Sequence, residues 1–315
     1  HFDATRHRLV PGFLHLRVNM FFFRRALRRF LATHRTDVLY VRSTLLLTPL
    51  LATRVPLILE LHELPRRGKR HFARLCNRCK RVVCLTRLMR DELAKFGVEK
   101  RRMTVEPDGV DLARFRKLGK VKRTAFPTGR PLIGYVGSFT TRRRIEKGIS
   151  VLLQALAILK RGNIPVYALL VGGWGNEVDP YKREARQLRI DRDVLFLGFL
   201  PPALVPARIN ECDLLVYPAP ASLHPYFLRD TSPLKLFEYL VAGKPVVCAD
   251  LPPLREIVSK DSVFFFTPGD PESLAHWLAY AIAHPKEAKK RVARGKKLVE
   301  RYGWESRMDR ILKFS

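Results

Sequence analysis

The chain has 315 residues, of which 47% are hydrophobic, enough for two domains of ordinary size that each bury a core. No run of about 18 apolar residues occurs, which excludes a membrane-spanning helix within this chain. Five scattered cysteines favour a reducing compartment over a disulfide framework. The formal net charge of +30 predicts an anionic partner, whether phosphate, acidic lipid or nucleic acid, without choosing among them.

The amino-terminal segment begins with polar residues and continues into a basic amphipathic stretch with an apolar stripe. His1 opens the chain in a segment that does not begin a strand, so we expect an upstream piece to be missing, and no signal peptide is visible. The stripe consists of Met20, Phe23, Leu27, Phe30 and Leu31, with Arg24, Arg25, Arg28 and Arg29 on the remaining surface. Such a helix either lies on acidic lipid or packs its stripe on its own sheet, and both remain open.

Short apolar segments separated by helical patterns follow. Strands are predicted at residues 37–41, 56–61, 81–85 and 103–105, and helices at 44–53 and 88–96. Continuous apolar strands that alternate with helices predict a parallel sheet covered on both faces.

Cys76 and Cys79 form a lone CxxC motif between the second and third of these strands. Together with Phe72 and Leu75 they fall on the apolar stripe of a helix. No second pair of zinc ligands follows at matching spacing. We therefore favour a core position for both thiols over a metal or redox role.

A segment rich in glycine, proline and basic residues, 118–130, interrupts the alternation and is predicted to be a linker. Beyond it, strands are predicted at 132–136, 166–171, 194–197, 214–217, 246–249 and, at an edge, 263–266. Helices are predicted at 148–160, 181–188, 234–242, 274–283 and from 289 onward. The fold class is therefore α/β, with two facing Rossmann-like domains, 1–120 and 121–315. Ligands are expected beyond the carboxyl ends of the strands, in a cleft shared by both domains.

The segment 229–245 carries the most informative pattern. Ser232 suits the N-cap of a helix and Pro233 its first position, so the free N–H groups of the first turn form an anion site. Lys235 adds a full positive charge there, and Glu238 shares its face at i+3. This arrangement suits a nucleotide diphosphate and its ribose hydroxyls. An ordinary surface ion pair on a capped helix is the alternative.

The same segment resembles the donor-site helix of glycosyltransferase family four, which has the GT-B fold. The resemblance lies in Ser-Pro-Leu-Lys-Leu-Phe-Glu-Tyr at 232–239, followed by Ala-Gly-Lys-Pro-Val-Val. It implies that Glu238 binds the ribose, that Lys235 binds the diphosphate with Leu236 beside it, and that Asp230 contacts the donor sugar. The family more often has glutamate where this chain has Asp230.

Other segments match the family in order, from about residue 56 to 304. Ile-Gly-Tyr-Val-Gly-Ser at 133–138, followed by Glu-Lys-Gly, resembles the family's strand, glycine turn and phosphate-binding lysine. This assigns Gly137, Ser138 and Lys147 to the donor. Many members have arginine where Ser138 stands. Arg142, Arg143 or Arg144 could replace it, but for each of the three we favour a place in a solvated basic loop. Loops containing Gly173 and Phe199 resemble those that hold the nucleobase.

In the first domain, Leu-Glu-Leu-His-Glu at 59–63 resembles the family's strand ending in histidine. His62 would then face the donor sugar across the cleft, and the resemblance implies a catalytic role for it beside Asp230. The last helix either stays with the second domain or returns to the first. The missing upstream piece would contain the family's first strand and glycine loop.

The resemblance implies a retaining, metal-independent glycosyltransferase that uses a nucleotide-diphosphate sugar and needs no further cofactor. Acceptors in this family are often lipid-linked or polysaccharide precursors of the cell envelope, which points to the cytoplasm and the inner face of a membrane. Two alternatives remain. One is a catalytically impaired member that acts as a binding partner. The other is a basic nucleic-acid-binding protein, although we expect no specific nucleic acid because no known binding signature occurs.

Overall fold

The computed structural model describes residues 12–117, 121–141 and 145–313. Packing divides the chain into two compact units. The first contains the chain up to Leu85 together with Met89–Val105, and the second contains Thr86–Leu88 and the chain from Glu106.

A parallel sheet of four strands forms the centre of the first unit, in the order β1-β2-β3-β4. The strands are β1 (Leu39–Val41), β2 (Leu57–Leu61), β3 (Arg81–Cys84) and β4 (Met103–Val105). All five residues of β2 are buried, as its continuous apolar sequence predicts for an inner strand of a covered parallel sheet. The helices along this part of the chain are α1 (Gly12–Thr33), α2 (Leu47–Leu51), α3 (Lys69–Cys76) and α4 (Arg87–Lys95).

Helix α1 divides its apolar stripe between the core and the surface. Leu27 and Leu31 pack against the core of the first unit, whereas Phe23 and Phe30 are exposed. The side chain of Met20 lies outside the described residues. Arg24 was expected on the open polar surface, but its Nη2 donates a hydrogen bond to the carbonyl of Leu45 at 2.8 Å.

The two cysteines of the CxxC motif belong to the core of the first unit, which confirms the prediction for them. Both are buried in the cluster that contains Phe72. Helix α3 ends at Cys76, so Cys79 lies beyond the helix that the sequence assigned to it. Burial raises the pKa of the Cys79 thiol to about 12, which makes it a poor nucleophile or metal ligand at neutral pH.

A second parallel sheet of six strands, in the order β12-β11-β10-β5-β8-β9, forms the centre of the second unit. Its strands are β5 (Leu132–Val136), β8 (Tyr167–Val171), β9 (Val194–Gly198), β10 (Leu214–Tyr217), β11 (Val246–Ala249) and β12 (Phe264–Phe266). The chain builds β5, β8 and β9 toward one edge and then returns to place β10 on the other side of β5. The strand order therefore reverses between β5 and β10, and their carboxyl ends flank the crevice in which such sheets bind ligands.

Helices cover both faces of this sheet. They are α5 (Leu112–Arg116), α6 (Ile149–Arg161), α7 (Asp179–Gln187), α8 (Val205–Glu211), α9 (Leu234–Ala242), α10 (Pro252–Arg255), α11 (Pro271–Ala283), α12 (Pro285–Val299) and α13 (Trp304–Leu312). Helix α6 packs against α11, and α9 packs against both α8 and α12. A short antiparallel hairpin of β6 (Thr140–Thr141) and β7 (Ile145–Glu146) follows β5 and was not predicted.

Helix α13 packs on the segment through which the chain enters the second unit. Arg307 is buried, and its guanidinium donates to the backbone carbonyls of Pro107 at 2.5 Å and Glu106 at 3.1 Å. Arg310 donates two bonds to the Glu106 carboxylate, at 2.9 and 3.0 Å. Just before α13, the backbone carbonyl of Tyr302 accepts a hydrogen bond from the backbone N–H of Val110.

Candidate functional site

A glycine turn follows β5 at the reversal point of the second sheet. Gly137 has a φ of +149°, and a Cβ built on it would lie 2.6 Å from Nζ of Lys235. A Cβ on Gly172, after β8, would lie 1.9 Å from the carbonyl oxygen of Gly137. Any side chain at either position would push the loops apart or displace the lysine, so both glycines are required by close approach.

Lys235 projects from α9 into the reversal point between β5 and β10. Its Nζ donates a hydrogen bond of 2.6 Å to the hydroxyl of Tyr135. The same ammonium lies 4.1 Å from the ring centre of Tyr135 in β5 and 5.4 Å from that of Tyr217 in β10. Burial, reinforced by the nearby charge of Lys147, holds the pKa of Lys235 well below its usual value. An anion beside Nζ would remove this penalty, so the pocket is organised for negative charge.

Tyr135 connects the lysine to the glycine turn. Its hydroxyl accepts from Lys235 and donates to the carbonyl of Ser138 at 2.7 Å. Tyr135 is fully buried, and a buried hydroxyl of this kind fixes both partners because neither can be replaced by water. The position of the ammonium is thus tied to the loop it faces.

Lys147 provides a second ammonium at the same turn. Its Nζ donates to Oγ of Ser138 at 3.1 Å. The neighbouring Glu146 bonds to α6 instead: its carboxylate accepts from the backbone N–H groups of Gly148 at 2.7 Å and of Ile149. Glu146 therefore caps the amino end of α6, which leaves α9 as the helix whose amino end can face a ligand here.

The amino end of α9 differs from the prediction in one respect. Pro233 occupies the N-cap, and Ser232, expected there, instead accepts a 2.7 Å hydrogen bond from the backbone N–H of Asp108. The Leu236 N–H donates to the Pro233 carbonyl, and the Leu236 side chain is buried in the core. Within the described residues, the N–H groups of Leu234 and Lys235 have no acceptor, so the anion site rests on these two amides.

Glu238 lies one turn deeper on the same face of α9. Burial raises the pKa of its carboxyl group to about 7, against the opposing pull of Arg114 and Lys235. The group is consequently poised between its neutral and charged forms near physiological pH. A partner with hydroxyl groups could accept and donate hydrogen bonds with either form.

Asp230 lies in a π-helical turn, Tyr226–Asp230, that follows β10. Its carboxylate is buried and accepts two hydrogen bonds from Arg229, at 2.6 and 3.0 Å. The hydroxyl of Thr86 donates to the Arg229 carbonyl at 2.7 Å. The acid is therefore held in one orientation by a bidentate arginine, an arrangement that was not predicted from the sequence.

Gly173 and Phe199 lie on the loops that follow β8 and β9. The ring of Phe199 stacks on Trp174, with centroids 3.9 Å apart and planes 21° from parallel. Both rings are about half exposed, 49% for Phe199 and 61% for Trp174. An exposed aromatic stack beside a close glycine turn offers a flat, apolar face for a planar ring.

His62 belongs to the first unit, directly after β2. Its Nε2 lies 2.7 Å from Oε1 of Glu60, and Nε of Arg42 lies 3.2 Å from the same carboxylate oxygen. The hydroxyl of Tyr40 donates to the other oxygen of Glu60. Glu60 is buried, so a carboxylate fixed by three neighbours holds the imidazole in place, and Nε of Arg42 lies 2.9 Å from the same ring nitrogen, Nε2.

The structure thus brings five of the predicted donor residues together at the reversal point of the second sheet, and places the aromatic loops beside them. The five are Gly137, Ser138, Lys147, Lys235 and Glu238. Arg142, Arg143 and Arg144, named as substitutes for the family's arginine, lie outside the described residues. The sequence missed Tyr135, Trp174, Arg229 and Glu60. The signal for Tyr135 was present, since a tyrosine inside a buried strand needs a partner for its hydroxyl.

A six-stranded parallel sheet with a glycine turn, two ammonium groups and a helix amino end at its reversal point defines a Rossmann-like α/β unit whose reversal point suits a phosphate group. The family model described as "Glycosyl transferases group 1" matches residues 119–298. This is more than half of the chain, and the chain belongs to that family. The model described as "Glycosyltransferase Family 4" matches residues 2–114. Both the resemblance noted from the sequence and the GT-B fold class are confirmed.

Characterised relatives are similar over part of their length. The alpha-monoglucosyldiacylglycerol synthase of Streptococcus pneumoniae is 28% identical over 190 residues, which cover 58% of this chain and 40% of the relative. The glycogen synthase of Mycobacterium tuberculosis is 26% identical over 228 residues, covering 71% and 51%. The chain therefore spans about half the length of these relatives, or less. The solved structure of Anabaena HepE in complex with UDP and glucose shares the fold at 21% identity, with a TM-score of 0.71 and coverage of 90% and 79%.

No helix in the described part of the chain is both long enough and apolar enough to cross a bilayer.

Proposed function

We propose that this protein transfers a sugar, with retention of anomeric configuration, from a nucleotide-diphosphate donor to a carbohydrate or lipid-linked acceptor. The observation that carries the proposal is Lys235: a half-buried ammonium at the reversal point of the sheet, with a depressed pKa and no carboxylate hydrogen-bonded to it among the described residues. The family of the chain, the UDP held by HepE and the glycolipid product named for the streptococcal relative support the proposal.

The main chemical task in such a transfer is to stabilise charge that develops on the leaving phosphate as the glycosidic bond breaks. Lys235, Lys147 and the two free amides of α9 supply that stabilisation. We assign no metal ion or organic cofactor to the site, because these cations take the place of a metal as the electrostatic partner of the diphosphate. Glu238 accepts from the ribose hydroxyls, and the stack of Trp174 and Phe199 contacts the nucleobase.

Two residues are assigned to the donor sugar. Asp230 accepts hydrogen bonds from sugar hydroxyls, with Arg229 fixing its orientation. His62, oriented by Glu60, is the assignment from the first unit. The acceptor attacks from the face that the leaving group vacates, so the mechanism uses no protein nucleophile.

The test begins with the nucleotide. A thermal-shift screen against UDP, GDP and ADP should give clear stabilisation by one of them, because a ligand that binds only the folded state raises its melting temperature. Lys235→Ala should abolish that shift and lower turnover by about 100-fold or more, as expected for loss of a charged group at a developing phosphate charge. Lys260→Ala, which removes an exposed lysine of the same unit, is the matched control and should behave as wild type.

Two outcomes would refute the proposal in different ways. Near-normal turnover of both Lys235→Ala and Glu238→Ala would remove the site assignment. Nucleotide binding that depends on Lys235, without turnover on any sugar nucleotide, would favour the alternative of an impaired family member that serves as a binding partner. The observation that favours this alternative is the pairing of Asp230 with Arg229. The carboxylate assigned to the donor sugar already accepts hydrogen bonds from this arginine.

We further propose that α1 attaches the protein to an acidic membrane surface at the cytoplasmic face. Four phenylalanines of this helix are between 45% and 62% exposed: Phe21, Phe22, Phe23 and Phe30. Exposed arginines lie among them, at Arg25, Arg28 and Arg29. Aromatic side chains that enter the interface and arginines that meet acidic headgroups are the two contributions such binding needs.

Co-sedimentation with vesicles tests this attachment. Binding should require anionic lipid, and the double variant Phe22→Ser/Phe30→Ser should weaken it because two exposed rings that would enter the lipid interface are lost. Phe96→Leu, a change in the covered core of the same unit, serves as the control. If the wild-type protein does not bind anionic vesicles at low salt, the proposed attachment through α1 is refuted.

A further inference from the structure

The segment Thr86–Leu88 belongs to the second unit, where Glu256 binds it. The half-buried carboxylate of Glu256 accepts from the backbone N–H groups of Arg87 at 2.5 Å and of Leu88 at 3.0 Å. These are the first two residues of α4, and their N–H groups have no acceptor within their own helix. A negative charge at the amino end of a helix is also favourable. Glu256 therefore caps α4 and fixes the position at which it starts.

Thr86 stands just before α4, where the hydroxyl of a threonine commonly caps the helix. With Glu256 bonded to the first two N–H groups, the hydroxyl of Thr86 donates instead to the carbonyl of Arg229, at 2.7 Å. Thr86 is 1% exposed, so water has little access to this hydroxyl. A carbonyl at the end of a helical turn has no donor within that turn, and Thr86 supplies one to Arg229.

Arg229 connects this contact to the carboxylate of Asp230. Its carbonyl accepts from Thr86, while its guanidinium donates two hydrogen bonds to Asp230, at 2.6 and 3.0 Å. Both residues lie in the π-helical turn that follows β10, and α10, which directly precedes Glu256, packs against this turn. The direction of the buried carboxylate is therefore set by residues outside the turn that carries it.

We propose that Thr86 and Glu256 are positioning residues for Asp230. The inference rests on the proposed function, in which Asp230 accepts from hydroxyls of the donor sugar, and it adds the residues that set the direction of this acid. Thr86 acts through Arg229, and Glu256 acts through the segment that carries Thr86. Because a misplacement of about 1 Å can cost as much as 100-fold in rate, loosening either contact should slow sugar transfer. Binding of the nucleotide alone should be unaffected.

Release of nucleotide from UDP-glucose, GDP-mannose and ADP-glucose by the full chain tests the role of Thr86. Thr86→Val keeps the shape of the side chain and removes the hydroxyl, so kcat should fall about tenfold on the donor that the wild type uses. Thr86→Ser keeps the hydroxyl and should retain most of kcat. The control Thr124→Val removes a hydroxyl that donates to Glu211 at 3.2 Å, before β10 and not after it, and should leave kcat unchanged.

Thermal shifts with UDP, GDP and ADP separate positioning from general damage to the site. A nucleotide without its sugar makes no use of Asp230, so the nucleotide that stabilises the wild type should stabilise Thr86→Val equally. A merely structural role for Thr86 would instead weaken nucleotide binding and turnover together.

Glu256→Ala removes the cap of α4 and should lower kcat in the same way, again with nucleotide binding retained. The matched control is Glu272→Ala, which removes an exposed carboxylate from the first turn of α11 and should keep the wild-type kcat. Both variants lose a negative charge at the amino end of a helix. A difference in kcat between them therefore reports on the turn that carries Asp230 and not on helix stability in general.

A double-mutant cycle compares Thr86→Val in the wild type and in Asp230→Asn. If Thr86 acts through Asp230, the valine variant should lower kcat by less than about twofold in the asparagine background, because coupled residues are not additive. A full tenfold loss there would overturn the inference, as would equal losses in Thr86→Ser and Thr86→Val or a parallel loss of nucleotide binding. Wild-type kcat in both Thr86→Val and Glu256→Ala would refute the positioning role alone. A wild type that releases nucleotide from none of the three donors would instead refute the proposed function, and the inference with it.

Discussion

Replacing Glu238 by glutamine is expected to stabilise the unliganded protein, increasingly so as the pH rises. Burial raises the pKa of this carboxyl group from 4.5 to about 7, so the folded state holds its proton more tightly than the unfolded state does. The neutral acid is therefore the form that the fold favours, and stability is lost as the pH rises through the interval between these two values. Glutamine imitates the neutral form at every pH.

The size of the effect follows from the same two values. At roughly 1.4 kcal/mol for each unit of pKa, ionisation of Glu238 costs the folded state about 1 kcal/mol at pH 5 and about 3 kcal/mol at pH 8. Glu238→Gln removes that cost. For a domain of 150–250 residues, about 3 kcal/mol corresponds to a rise of about 6–12 °C in melting temperature.

Differential scanning calorimetry of wild type and variant at pH 5 and pH 8 measures this directly. Asp191→Asn, which neutralises an exposed acid of the same unit, should show no such dependence on pH. The glutamine variant should also gain less from a bound nucleotide, because its amide has one accepting oxygen and no charge, whereas a carboxylate offers two charged oxygens to the two ribose hydroxyls. An equal difference at both pH values, or a less stable variant at pH 8, would show that burial does not govern this carboxyl group.

Three further changes test the donor site. Tyr135→Phe removes the hydroxyl that accepts from Lys235, so the ammonium should lose its proton more readily and the alkaline limb of the pH profile of kcat/KM should move to lower pH; an unmoved limb would contradict this. Trp174→Ala should raise the donor KM by about tenfold at unchanged kcat, since stacking on a base contributes ~1–3 kcal/mol, and a purely structural role would instead lower the melting temperature. Gly137→Ala places a Cβ 2.6 Å from Lys235 Nζ and should destabilise by about 1–3 kcal/mol, whereas Gly129→Ala, also at positive φ but in open space, should cost less in the same urea titration.

Much of the fold could be predicted from the sequence because its strands are continuous apolar segments between clear breaks. All ten strands predicted from the sequence occur within two residues of their expected bounds. The hairpin of β6 and β7 was missed, since two residues in each strand are too few to show a period. Ser232 was misplaced because serine is a good N-cap in general, whereas here its hydroxyl has a partner, Asp108, 124 residues away.

At the candidate site, too, local patterns could be predicted from the sequence and contacts between distant residues could not. Glycine turns and the i,i+3 pair of Lys235 and Glu238 are local patterns, so they could be recognised in the sequence. The contact between Tyr135 and Lys235 joins residues 100 positions apart, and the stack of Trp174 on Phe199 joins two separate loops. Such partners are set by the sheet order, which a single sequence does not reveal.

The hydrogen bonds of Arg307 and Arg310 to the segment at Glu106 have a consequence for biosynthesis. The carbonyls of Glu106 and Pro107 leave the ribosome about 200 residues before the guanidinium groups that will pair with them. Domains tend to fold as units during synthesis, but the second unit cannot satisfy these groups until α13 has been translated. Its final closure is therefore a late event, and a stop codon shortly before Trp304 would release a chain in which the carbonyls of Glu106 and Pro107 lack the arginines that hydrogen-bond to this segment.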